Sequence, residues 1–330
     1  MFNLDRIPLG QTGIQISPLG IGSNAWGAGR KALQIGGQAD PAMRAVFEAA
    51  LAAGINLFDT AEVYNFGGSE KTYGLFLPEF RSQAPLREGE QTLPTLPGGG
   101  QVVVASKFFP YPWRWSRAAL KAALQSSLAR LHIRQIDLYL VHFPLPPVRP
   151  ETWVEALAEV HDAGLARAVG VSNFNAGQMR RAHALRARRG IPLACNQVEY
   201  SLLKRDVERN GLLALCKELG VTLVAYRPLA YGMLTGRYTA GQRPGGWRGL
   251  TLNRRALQAA QPLLELLRTT GEAHEGKTTA QVALNWLICK GAVPIPGASR
   301  AGHVQANAAA LGWRLSNDEV AALDQASSAV

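Results

Sequence analysis

Short apolar runs recur along the chain, and most are followed by a longer stretch with helical spacing. Residues 19–23, 55–58, 101–106, 136–141, 166–171, 193–197, 221–226 and 293–296 each read as a buried strand. Capped or amphipathic segments between them predict helices over 41–53, 116–130, 150–163, 176–189, 210–219, 254–272, 278–290 and 300–310, with a further helix beginning near Gly68-Ser69-Glu70. Residues 6–10 and 15–18, joined by Gln11-Thr12-Gly13, read as a hairpin ahead of the first strand. Ser316-Asn317-Asp318-Glu319 caps a last helix. Eight strand signals, mostly alternating with helices, predict a (β/α)8 TIM barrel, read as a single domain over residues 1–330. Residues 81–100, rich in Pro, Gly, Gln and Glu and without periodicity, are expected to form a flexible loop at the barrel floor. No Gly-x-Gly-x-x-Gly follows a strand, which disfavours a Rossmann fold.

Three of these strands end in ionisable residues. The run 55–58 ends in Asp59, with Tyr64 five positions on; the next two end in Lys107 and His142. In a parallel barrel every strand C-terminus opens onto one mouth, so Asp59, Tyr64, Lys107 and His142 are expected to converge there. Singly, each has a plain structural use, as a helix cap, a half-buried ring, a solvated strand end or a core histidine. Together they form an acid–base device. A phenol with a pKa of about 10 donates poorly at neutral pH. An ammonium about 4 Å away, at an effective dielectric near 20, favours the phenolate by about 4 kcal/mol, or roughly three pKa units at most. The aspartate holds the lysine, and the histidine orients a substrate oxygen. Nothing in the pattern has metal-ligand spacing.

Composition changes this picture little. A chain of 330 residues with 47% hydrophobic and 18% charged residues describes a soluble globular protein. The net charge of +11 invites a nucleic-acid partner, but the 35 basic residues are spread out. Their densest group, Arg180-Arg181 with Arg186-Ala187-Arg188-Arg189, lies on a predicted helix without interleaved aromatics, so no nucleic acid is expected. Cys195, Cys216 and Cys289 lack redox or metal spacing and read as free thiols of a reducing compartment. The first residues carry no apolar signal region, and no run reaches membrane-spanning length, so a cytoplasmic protein without a membrane partner is expected.

Phe58 to Tyr64, Ala105-Ser106-Lys107, Leu140-Val141-His142, Gly170-Val171-Ser172-Asn173-Phe174 and Asn196-Gln197-Val198-Glu199-Tyr200 together resemble the aldo-keto reductase superfamily. The resemblance spans about residues 7 to 323. Pro112-Trp113-Arg114-Trp115, Gly190-Ile191-Pro192-Leu193 and residues 285–291 are most similar to bacterial and plastid members related to pyridoxal reductase. It implies a hairpin that plugs the barrel floor, the four residues above as the catalytic set, and NADP(H) as cofactor.

Ser172, Asn173 and Gln197, at neighbouring strand ends, are expected to hydrogen-bond the nicotinamide carboxamide, with Tyr226 stacked under the ring and Ser23 close by. The segment Arg227-Pro228-Leu229-Ala230-Tyr231-Gly232-Met233-Leu234-Thr235-Gly236-Arg237 looks like the family's pyrophosphate-spanning loop, whose glycines allow close approach to phosphate. Arginine stands at 227 and 237, where serine and lysine are common. Arg237 is expected to hold phosphate as that lysine does, with forked geometry, while Arg227 is either a second phosphate ligand or a surface charge. Ile295-Pro296-Gly297-Ala298-Ser299-Arg300 opens a helix, and Ser299 with Arg300 is expected to take the 2′-phosphate of NADP. Asn307 matches an adenine-side asparagine, whereas His303 and Ala306 replace the usual glutamine and glutamate.

Aromatic residues after strands one and three predict a flat apolar pocket, with Trp26, Phe108 and Trp113 as its lining. The expected activity is NADPH-dependent reduction of aldehydes or ketones to alcohols, with Tyr64 as general acid. The small-molecule partner is a carbonyl compound, of which an aromatic or heteroaromatic aldehyde such as pyridoxal suits the pocket. An NAD(P)-dependent sugar or alcohol dehydrogenase, or a cofactor-sensing subunit of the potassium-channel β type, are the alternatives. The sequence leaves the oligomeric state open.

Overall fold

Each barrel strand alternates between two apolar environments, and that alternation sets which side chains reach the mouth. The computed structural model describes residues 5–27, 41–78, 101–239, 241–242 and 253–328. The predicted cap Asp40, the loop expected over 81–100 and residues 243–250 of the segment after strand seven lie outside the described residues.

A two-stranded antiparallel hairpin, β1 (Ile7–Pro8) and β2 (Gln15–Ile16), precedes an eight-stranded parallel sheet. Its strands are β3 (Ile21–Gly22), β4 (Leu57–Asp59), β5 (Val103–Phe108), β6 (Ile136–Val141), β7 (Ala166–Ser172), β8 (Leu193–Glu199), β9 (Thr222–Tyr226) and β10 (Val293–Pro294), paired in sequence order. The sheet closes on itself. Gly20 N donates to the Pro294 carbonyl and Gly22 N to the Pro296 carbonyl, each at 3.0 Å, and Gly22 bridges Gly297 in parallel. A Cβ on Gly22 would lie 2.9 Å from the Ile295 carbonyl oxygen, so this seam requires glycine. The expected TIM barrel is the fold.

Leu57, Val103, Ala105, Leu138, Leu140, Ala168 and Val224 point inward and form one buried cluster with Leu9, Ile14 and Ile16 of the hairpin segment. The hairpin therefore plugs the floor. Gly10 N donates to Thr222 Oγ1 (2.7 Å), and the left-handed Gly10 leaves no room for a Cβ against the Ala194 carbonyl. Residues of opposite parity, such as Phe58, Val104, Phe108, Tyr139 and Val141, face outward into the layer shared with the helices.

Those helices are α1 (Pro41–Ala52), α2 (Gly68–Gly74), α3 (Arg117–Leu131), α4 (Pro150–Asp162), α5 (Ala176–Ala187), α6 (Asp206–Arg209), α7 (Leu212–Glu218), α8 (Arg254–Ala259), α9 (Gln261–Ala273), α10 (Thr279–Cys289), α11 (Ala301–Ala308) and α12 (Asn317–Ser327). Capping boxes start three of them: Asn175 with Gln178, Thr278 with Gln281, and the predicted Ser316 with Glu319. One predicted helix, 254–272, is divided: α9 restarts with Pro262, which has no N–H to continue α8. The short α6 precedes the predicted 210–219 helix, and the left-handed Gly211 separates it from α7. Among the described residues no helix is long and apolar enough to cross a membrane.

Candidate active site

The inward parity that runs Leu57–Asp59, Val103–Ala105–Lys107 and Leu138–Leu140–His142 carries all three ionisable strand ends to the top of the barrel interior. The loop after β4 turns Tyr64 back to meet them. Lys107 Nζ donates to Asp59 Oδ2 (2.7 Å), to the Thr60 carbonyl (2.8 Å) and to Tyr64 OH (3.2 Å). The three ammonium hydrogens are thereby committed. The Tyr64 and His142 rings meet edge to face, with centroids 5.8 Å apart.

Charge follows from burial and pairing. Burial lowers the pKa of the fully buried Lys107 ammonium, but Asp59 and Tyr64 more than offset it, and the group lies above its ordinary value. Burial, aided by the Lys107 charge, drives His142 down to about 2, so its ring is neutral. Its Nδ1 is buried, with no hydrogen-bond partner among the described residues. Tyr64 departs from the sequence-based expectation. Lys107 pulls the phenol down as anticipated, yet burial outweighs it, and the net shift is upward. The phenol is held protonated.

Neighbouring strand ends extend the cluster. Gln197 Nε2 donates to Asp59 Oδ1 (2.7 Å), so the amide expected to face a nicotinamide also holds the aspartate. Asn173, in a left-handed conformation, donates from Nδ2 to the His142 carbonyl and to Ser172 Oγ, and its Oδ1 accepts from Tyr226 OH, all at 3.0 Å. Ser172 Oγ donates to the Gln197 carbonyl (2.7 Å). Burial, with Glu199 adding to it, raises the Tyr226 phenol to about 12.

From Tyr226 the chain enters a strained turn: Arg227, Ala230 and Tyr231 have φ of 51°, 47° and 59°. The Arg227 guanidinium lies over the Tyr231 ring at 4.4 Å and pairs with Glu199 at 3.4 Å. Pro228 and Leu234 are buried, and Leu229 and Gly232 are partly so. The left-handed Gly236 precedes the exposed Arg237. A groove of about 590 Å³ runs beside Gly236, Tyr238 and Thr279. Ser299 and Arg300 are exposed at the start of α11, where Arg300 Nη2 lies 3.1 Å from His303 Nε2. Burial, then the charges of Arg300 and Arg237, lowers the His303 pKa. Among the described residues, a Cβ on Gly297 would meet only the Gly22 carbonyl, at 3.8 Å. Asn307 is nearly buried on α11.

Several expected contact residues are placed elsewhere. Trp26 is fully buried, stacked on Tyr73 at 4.6 Å, with Nε1 donating to the Ala298 carbonyl (2.7 Å); it belongs to the core and not to the pocket wall. Phe108, next to the inward Lys107, must face outward, and it packs on Trp153 of α4 at 4.8 Å. Ser23 is buried, its hydroxyl donating to the Asp59 carbonyl (2.7 Å), and Ile295 packs inside the barrel. Of the predicted lining, Trp113 stays exposed, stacked on Tyr111 with centroids 4.6 Å apart and planes 9° apart. The residue that sequence reasoning passed over is Phe109, which meets His142 edge to face at 5.7 Å. Period-two alternation from Lys107 could have chosen it over Phe108.

Residues 18–328 match the Aldo/keto reductase family. The chain belongs to this family. It is 40% identical over 322 residues to the chloroplastic pyridoxal reductase of Arabidopsis thaliana, a match covering 95% of this chain and 84% of that protein. Among solved structures, an aldo-keto reductase from Klebsiella pneumoniae in complex with NADPH is 28% identical, with a TM-score of 0.72 over 98% of this chain and 95% of that one. The glycerol dehydrogenase of Gluconobacter oxydans is 25% identical, with a TM-score of 0.80 at the same coverages.

Proposed function

We propose that this aldo-keto reductase uses NADPH to reduce planar aromatic or heteroaromatic aldehydes to alcohols, with Tyr64 as the general acid. The observation that carries this reading is the Lys107–Tyr64 contact beside a neutral histidine. Because a Lys107 N–H occupies a lone pair of the phenol oxygen, the phenol hydrogen remains available to a substrate oxygen. His142, neutral, donates from Nε2 to the same oxygen and orients it. As negative charge builds there, Tyr64 gives up its proton and the Lys107 ammonium stabilises the phenolate, while Asp59 fixes Lys107.

The residues present suit a phosphate-bearing dinucleotide. Tyr226 offers a ring face anchored through Asn173, Gly232 and Gly236 leave backbone open to phosphate, and Arg237 with Ser299 and Arg300 supplies charge at the α11 start. When bound, NADPH supplies the hydride for the carbonyl carbon. The NADPH complex of the Klebsiella relative and the pyridoxal reductase likeness support cofactor and substrate class respectively.

The test is loss of NADPH absorbance with a panel of pyridoxal, other aromatic aldehydes and sugar aldehydes. Turnover highest on planar aldehydes is expected, and absence of turnover on every member overturns the reading. The same groups run alcohol oxidation in reverse, so initial rates with NADP⁺ and the matching alcohols give the preferred direction.

A further inference from the structure

The loop after β5 carries the exposed aromatic residues, yet it has no regular structure to hold them. One ion pair takes that place. Glu62 Oε1 accepts the backbone N–H of Phe109 across 2.6 Å. The Arg114 guanidinium forks onto the same carboxylate, with Nη1–Oε1 at 2.5 Å and Nη2–Oε2 at 3.1 Å, and Nη1 also donates to the Phe109 carbonyl (2.9 Å). Phe109 is thus gripped at both its N–H and its C=O. The Glu62 side chain is 7% exposed and that of Arg114 23%, which reduces screening of the pair by water. The guanidinium carbon also lies 5.2 Å from the centre of the Tyr111 ring, and Tyr111 stacks on Trp113.

Glu62 stands two residues before Tyr64, so the clasp ties the loop carrying the proton donor to the loop carrying Phe109, Tyr111 and Trp113. We propose that the Glu62–Arg114 pair determines substrate specificity by fixing this aromatic wall against Tyr64 and His142, favouring planar over small aliphatic carbonyl compounds. Both are positioning residues. The proposal rests on the carbonyl-reductase reading of the site. A bidentate charge-assisted pair is directional, so losing the fork frees the wall while Tyr64, Lys107 and Asp59 keep their own contacts. A planar ligand must then order the wall as it binds, and its affinity falls. A small aliphatic substrate, too short to use the wall, loses little.

The experiment compares wild type, Glu62→Gln, Arg114→Lys and the double variant in NADPH oxidation with pyridine-4-carboxaldehyde and with propanal. The expected result is a KM for the planar aldehyde raised about two- to tenfold, the range of an aromatic packing preference, with kcat and the propanal constants within about twofold. The double variant should be no worse than the worse single one, as for one device. Equal losses on both aldehydes, no loss on either, or additive losses overturn the proposal. Binding of isonicotinamide against acetamide, followed by tryptophan fluorescence, tests the wall without turnover. If wild type reduces neither aldehyde but the variants weaken isonicotinamide alone, the clasp stands and the carbonyl-reductase reading falls. If isonicotinamide binding is unchanged in the variants, the clasp falls. Should Glu62→Gln fail to fold, Arg114→Lys, which keeps the charge and loses the fork, decides the matter on the same outcomes.

Discussion

Gln197 Nε2 donates to Asp59 Oδ1 across 2.7 Å, although 138 positions separate the two residues. With Lys107 on Oδ2, each oxygen of this buried carboxylate has a donor. Gln197→Leu should therefore leave a buried acceptor unmet, at a cost of about 1–3 kcal/mol. Urea unfolding measures it. A variant as stable as wild type would show that the aspartate does not depend on this amide.

Tyr64→Phe removes the phenol oxygen that Lys107 contacts and keeps the ring packed edge to face on His142. NADPH binding should persist while aldehyde reduction falls by at least about a hundredfold, within the range for general acid catalysis. Single-turnover kinetics beside a cofactor titration separate the two. Turnover near wild type would remove Tyr64 from the proposed role.

Arg300→Ala should weaken NADPH much more than NADH, because only NADPH carries the 2′-phosphate. A charge-assisted contact contributes about 1.5–3 kcal/mol, or roughly ten- to a hundredfold in affinity. Calorimetric titration of both cofactors is the measurement. Equal weakening would assign the 2′-phosphate to another group, of which Arg237 is a candidate, since its charge, like that of Arg300, lowers the His303 pKa.

The neutral His142 gives stability a pH dependence of definite sign. Its pKa is about 2 in the folded protein against 6.5 ordinarily, so the unfolded chain takes up a proton that the folded one does not. This contribution is complete above about pH 6.5 and is lost as pH falls toward 2, at about 1.4 kcal/mol per unit. Between pH 5 and 6 few carboxylates titrate, and His142→Gln should flatten the stability curve by up to that slope. Parallel curves for the two proteins would mean that the folded state accommodates a charged His142.

Much of the barrel was legible along the chain because strand alternation and helix caps are local. The runs ending in Asp59, Lys107 and His142 showed where the strands stop, and a parallel barrel leaves their ends one place to meet. Ser316 with Glu319 caps the helix it was read to cap. The family-bearing motifs lie in these same segments. Alternation even held the correct choice between Phe108 and Phe109, since neighbours on a strand face opposite layers.

Burial and distant pairing were decided by the packed layers. Trp26 follows a strand as an aromatic pocket residue would, but Tyr73 and the Ala298 carbonyl, remote in sequence, enclose it. The Tyr64 phenol was expected to be lowered by Lys107 and is raised on balance, because desolvation depends on everything packed around the hydroxyl and a sequence names only the charge beside it. Gln197 on Asp59 and Arg114 on Glu62 likewise join segments that no local rule connects. Residue order fixes which groups a strand or cap presents, whereas closure of the barrel fixes how far each group is desolvated and which partner it meets.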